Sequence, residues 1–94
     1  MTSGRYFASR RILGRRLRSA REEAGLSQRE VAERLGYRQS MISNGETANR
    51  RIDVFELQEL ADLYGVTLEE LLSPHSELER GQIRRQNQGG AQEK

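Results

Sequence analysis

Within the stretch GYRQSMISNGE, Gly36 to Glu46, four polar side chains fall close together: Gln39, Ser40, Ser43 and Asn44. None of these is a strong acid, base or nucleophile; what they offer is hydrogen bonding. The Gln39 and Asn44 amides can donate and accept at once, the two-point pattern that an adenine edge satisfies. The serine hydroxyls suit several base edges or a phosphate. Other groups that could carry chemistry lack partners in the sequence. His75 stands alone after a proline, and no serine has a recognisable histidine context. The carboxylate pairs Glu22-Glu23 and Glu69-Glu70 are explained by helix charge and capping, and no glycine-rich phosphate loop occurs. Nucleophilic or general acid–base catalysis has no constellation to work with, so an enzyme is not expected. The chain contains no cysteine, which excludes a disulfide framework and a thiolate metal site. Neither a metal nor any other cofactor is expected.

Positioning a polar strip of this kind needs a short helix with one apolar edge, and the neighbouring residues supply the framework. In LSQREV, Ser27 can cap a helix while Glu30 reaches back, with Leu26 and Val31 at the staple positions. The same grammar recurs more loosely at Asp53 and Glu56, flanked by Ile52 and Leu57, and again at Thr67 and Glu70, flanked by Val66 and Leu71. A second helix is therefore expected from about Gln28 to Leu35, ended by Gly36. A third starts near Gln39, a fourth covers Val54 to Tyr64 before Gly65, and a fifth covers Leu68 to about Leu72. Ahead of them, Leu13, Leu17, Ala20 and Ala24 share one face of a first helix starting near Ile12 and stopping at Gly25. On the fourth helix, Val54, Leu57, Leu60, Ala61 and Tyr64 form one stripe. No strand signal and no repeat beyond the capping grammar is present.

The chain of 94 residues sets an expectation of one all-α domain. Residues 1–11 read as a basic flexible arm, 12–74 as the folded domain and 75–94 as a polar, disordered tail whose Leu78 and Ile83 bury too little to order it. No apolar run approaches a membrane span or a secretory signal, which fits a cytoplasmic location. Charge is divided unevenly. Residues 1–52 hold 12 Arg against 5 acids, or +7, and residues 53–94 hold 4 basic residues against 9 acids, or −5. A cationic half rich in arginine suits phosphate recognition, and its acidic counterpart suits solubility.

Two short helices separated by Gly36 and a tight turn have the layout of a helix-turn-helix, whose second helix enters the DNA major groove. Ile42, supported by Met41 or Tyr37, supplies the edge that packs; Gln39, Ser40, Ser43 and Asn44 supply the edge that reads. Arg38, Arg50 and Arg51 flank that helix and are expected at phosphates. Arg5, Arg10 and Arg11 could follow phosphates or enter a minor groove, or simply form a basic terminus. Arg15, Arg16 and Arg18 are expected on the solvent side of the first helix. Phe55 and Leu63, away from the core stripe of the fourth helix, suggest a homodimer contact, with Leu68 or Leu72, or else a broadened apolar face under the tail or arm.

LRSAREEAGLSQREVAERLGYRQSMISNGE, continued by RRIDVFELQELADLYGVTLEELL, resembles the DNA-binding domain of the phage repressor/Cro family, also called the XRE-type helix-turn-helix family. The resemblance covers about Leu17 to Leu72. It implies a compact five-helix repressor-like fold, with Gln28 on a phosphate, Gln39 on a base and braced against Gln28, and an ion pair between Arg21 and Glu46. It further implies a sequence-specific, double-stranded DNA-binding transcriptional regulator, a repressor acting as a dimer. The alternative is an antitoxin or other interaction module of the same fold, using the tail to bind a protein partner. Three positions depart from the family pattern: Gly45 replaces a large apolar residue, Ala48 a glycine and Arg38 a serine cap. From Asn44-Gly45 the third helix is expected to end early and the following loop to differ.

Overall fold

The computed structural model describes the backbone of residues 2–73 and the side chains of residues 10–73. The expected tail 75–94, with His75, Leu78 and Ile83, lies outside the described residues, as does the side chain of Arg5. Five helices and no strand are present among the described residues: α1 (Thr2–Glu23), α2 (Gln28–Leu35), α3 (Gln39–Glu46), α4 (Val54–Tyr64) and α5 (Leu68–Leu72).

α1 begins about ten residues earlier than the expected start near Ile12, so the helix runs back through residues 2–11. Apolar periodicity does not reveal this, because the sequence of residues 1–11 lacks it. It contains no proline, however, and a helix already nucleated on the core gains one backbone hydrogen bond for each residue added.

The capping grammar is realised in two forms. Ser27 Oγ accepts from the Glu30 N–H at 3.0 Å while Glu30 Oε1 accepts from the Ser27 N–H at 2.8 Å. Thr67 and Glu70 make the equivalent two bonds at 3.0 Å each. Asp53 caps α4 through Oδ1, which accepts from the Phe55 and Glu56 N–H groups at 2.6 and 3.4 Å. Glu56 does not return the bond; it is buried and engages Arg50 instead.

Leu17 and Ala20 from α1, Val31 and Ala32 from α2, Ile42 from α3, Leu57, Leu60, Ala61 and Tyr64 from α4 and Leu71 from α5 form one core. α1 lies against α3, α4 and α5, while α2 packs on α3. Gly14 allows the closest approach. A Cβ built there would run into the Glu46 carbonyl group and lie 3.0 Å from the Gly45 oxygen, so α1 rests almost backbone to backbone on the end of α3.

Three packing expectations are corrected. Ala24 is exposed because α1 ends at Glu23. Val54 is 61% exposed: it opens α4 beyond the edge of the core, and Glu56, one turn before Leu60, takes the inward position. Arg16 is buried rather than solvent-facing. It falls three residues after Leu13 and four before Ala20, hence on the apolar face, and charge alone misplaced it. Its stem packs inward, and its Nη1 donates to the carbonyls of Leu71 (3.0 Å) and Ser73 (2.6 Å), closing the end of α5.

Candidate nucleic-acid interface

α2 and α3 are joined by a tight turn. Gly36 ends α2 at φ 76°, a left-handed conformation that strains any residue with a Cβ, and its N–H bonds back to the Ala32 carbonyl. Tyr37 donates its own N–H to the same oxygen at 2.9 Å. Arg38 then occupies the extended N-cap position of α3 and offers no side-chain cap, which leaves its guanidinium exposed beside the helix start.

α3 runs through Gly45 to Glu46, so the expected early end does not occur. Gly45 is buried, and a Cβ there would stand 3.2 Å from Ile52 Cδ1. Ile52 therefore comes up from the following loop into the space where an apolar side chain of α3 would otherwise reach down. The loop does carry a backbone cost: Ala48 has φ 64°.

Ile42 is buried and Met41 half-buried, while Gln39, Ser40 and Asn44 are exposed and Ser43 is half-buried. Ile42 thus anchors the helix and the four polar residues form its outer side. A chain of polar contacts secures the same helix from beneath. Arg21 Nε and Nη2 donate to Glu46 Oε2 and Oε1 at 2.7 and 3.1 Å, and Arg21 Nη1 donates to the Leu26 carbonyl at 2.9 Å. Gln28 Nε2 donates to Glu46 Oε1 at 3.1 Å, and Gln39 Nε2 donates to Gln28 Oε1 at 3.4 Å. The last bond is long and correspondingly weak. An amide retains an acceptor and a second donor beyond it, so Gln39 keeps its capacity for an outside partner.

The Arg21–Glu46 pair is buried, and its hydrogen bond with Glu46 holds the Arg21 guanidinium charged, with a pKa above the ordinary arginine value. Removing one member would strand the other charge, at about 3–5 kcal/mol. Tyr64 lies beneath the pair; burial first, and the Glu46 charge second, push its hydroxyl pKa upward.

The flanking arginines do not behave alike. Arg38 and Arg51 are exposed. Arg50, expected at a phosphate, is turned inward: it pairs with the buried carboxylate of Glu56 and donates from Nε to the Met41 carbonyl at 2.9 Å. Thr47 and Asn49, not singled out from the sequence, are exposed just past Asn44. Thr47 Oγ1 donates to the Ser43 carbonyl at 3.1 Å, and Asn49 Nδ2 donates to Thr47 Oγ1 at 3.0 Å, extending the polar strip. Their short polar side chains in ETANR were the available signal. Phe55 is 78% exposed, whereas Leu63 packs against the core, so the two do not form one open face. Among the described residues there is no cluster of three or more His, Cys, Asp or Glu suited to a metal ion, and no helix long and apolar enough to cross a membrane.

Comparison with known proteins agrees with this architecture. A family model described as a helix-turn-helix domain matches residues 12–73. The chain is 42% identical over 60 residues to the HTH-type transcriptional regulator ImmR of Bacillus subtilis, an alignment covering 64% of this chain and 47% of that protein. It is 38% identical over 68 residues to the uncharacterized HTH-type transcriptional regulator y4dJ of Sinorhizobium fredii, covering 72% of this chain and 88% of that one. The chain therefore spans about half the length of the first relative and most of the second. No solved structure matches the chain at a significant level. With the matched model covering all of α2 to α5 and residues 12–23 of α1, the chain belongs to the XRE/Cro-like helix-turn-helix family.

Proposed function

We propose that this chain is a sequence-specific, double-stranded DNA-binding transcriptional regulator, a repressor that binds as a dimer with α3 in the major groove. Family membership supports a DNA-binding regulator and not an enzyme. The observation that carries the finer reading is the two-sided construction of α3: Ile42 and Glu46 are buried, while Gln39, Ser40 and Asn44 face outward. Phosphate contacts from Arg38, Arg51 and the Gln28 amide would dock the domain, and the α3 side chains would select the sequence. The surface on which a second copy would pack is the adjacent apolar pair Val54 and Phe55, 61% and 78% exposed. Occupancy of an operator would then be the mode of action, in the cytoplasm, without a small-molecule cofactor.

Selection of bound sites from random duplex DNA tests this directly. Two related half-sites in a palindrome, centred about 34 Å apart, are expected of a dimer. A single asymmetric half-site would overturn the dimer, and no enrichment at all would overturn sequence-specific binding.

A further inference from the structure

Arg50 sits in the loop between α3 and α4, next to the exposed Arg51, where a phosphate ligand would be sought. Its hydrogen bonds point elsewhere. A guanidinium has five N–H donors in a fixed fork. In Arg50, Nε donates to the Met41 carbonyl at 2.9 Å; Nη1 donates to the Arg51 carbonyl at 2.9 Å and to Glu56 Oε1 at 3.1 Å; Nη2 donates to Glu56 Oε2. Four of the five donors are thus engaged within the chain, and the bidentate edge that would meet a phosphate is taken by a carboxylate whose side chain is 6% exposed.

The elements joined are the ones that matter for readout. Met41 lies in the middle of α3, one residue after Ser40 and one before the buried Ile42. Glu56 belongs to the first turn of α4, whose Leu57, Leu60 and Ala61 are core. Gly45 lies beneath the arrangement: a Cβ there would meet Arg50 Nη2 at an ordinary contact distance of 3.7 Å and Ile52 Cδ1 at a tight 3.2 Å, so guanidinium and isoleucine both close over this part of α3. Resting on the DNA-binding reading above, we infer that Arg50 is a positioning residue, which with Glu56 fixes the rotation and height of α3 so that its polar side meets the base edges.

The test is a salt series of binding to a selected operator and to random duplex DNA for Arg50→Gln and Glu56→Gln, alongside amide hydrogen exchange in the unbound proteins. Glu56 is buried and touches no nucleotide in this scheme, so it separates positioning from contact. Both variants are expected to lose about tenfold in the ratio of operator to random affinity. The slope of log K against log salt should stay at the wild-type value, and α3 amides should exchange faster than those of α1 and α4. If instead Arg50→Gln weakens both DNAs alike and reduces the slope by about 0.9 while Glu56→Gln binds as wild type, Arg50 is a phosphate ligand and the inference is overturned. Unchanged α3 exchange in both variants would overturn it as well. A wild-type chain that does not distinguish operator from random DNA refutes the DNA reading, and the exchange data then decide the role of Arg50 separately. Should Arg50→Gln fail to fold, Arg50→Lys supplies the same comparison: it keeps the charge but loses the fork, so a wild-type ratio in Arg50→Lys counts against positioning.

Discussion

At the scale of single residues, the features that set the geometry near α3 are small. Gly14 and Ala48 make a useful contrast. Gly14→Ala would add a methyl against the backbone of Glu46 and Gly45, which have no rotamer with which to yield. It should therefore destabilise the fold by about 1–3 kcal/mol even though alanine is the better helix former. Ala48 already holds φ 64° with a Cβ present, so Ala48→Gly should stabilise by about 0.5–1 kcal/mol. Denaturant titration of the two variants checks the opposite signs. Tyr37 gives a pH signature: its hydroxyl donates to the Glu59 carboxylate, which pushes its pKa up to about 12 from the ordinary 10.0. Because the folded-state value is raised, this bond contributes stability below about pH 10 and loses it as pH climbs toward 12. Glu59→Gln should bring the Tyr37 tyrosinate signal in ultraviolet titration back toward 10; an unmoved titration would show that Glu59 is not its cause. The sequence pointed to few of these contacts. Gln39, Ser40 and Asn44 could be marked as outward-facing from type and spacing alone. The Arg21–Glu46 pairing came only from family resemblance, since 25 residues separate its members. The inward turn of Arg50 depends on a carboxylate in the next helix.

At the scale of elements, local rules were the more legible. The starts of α2, α4 and α5 were written in Ser27, Asp53 and Thr67, because a cap and its partner are three residues apart and need nothing from the rest of the fold. The start of α1 was not, because helical propagation from an anchored segment leaves no apolar pattern. Arg16 shows the other limit: a charged residue on an apolar face is informative only once its acceptors are known, and those lie at the end of α5 and just past it. Its two bonds join α1 to the last turn of the described chain. Arg16→Ala should cost about 2–3 kcal/mol, seen as a lower denaturation midpoint with little change in slope. A loss under about 0.5 kcal/mol, the level of an ordinary surface substitution, would mean that α5 is held by Leu71 packing alone.

For the whole molecule, charge and assembly dominate. The +7 of residues 1–52 against the −5 of residues 53–94 gives the chain a cationic half that also contains α2 and α3. Under the proposed function, long-range attraction to DNA would come from that imbalance and site choice from α3. Dimerisation is expected to involve Phe55, which with its neighbour Val54 leaves two large apolar side chains side by side at the surface, 78% and 61% exposed. Phe55→Asp should shift sedimentation toward the monomer and weaken operator binding without unfolding the domain; an unchanged dimer would place the interface elsewhere.

The most direct measurement is the affinity of Gln39→Ala for the selected operator and for random duplex DNA, taken at one salt concentration. If the outward side of α3 reads bases, discrimination should fall by about 1–3 kcal/mol, concentrated at one base position, with random-DNA affinity unchanged. A variant that keeps the wild-type ratio between the two DNAs would contradict base readout by Gln39, the first residue of that helix.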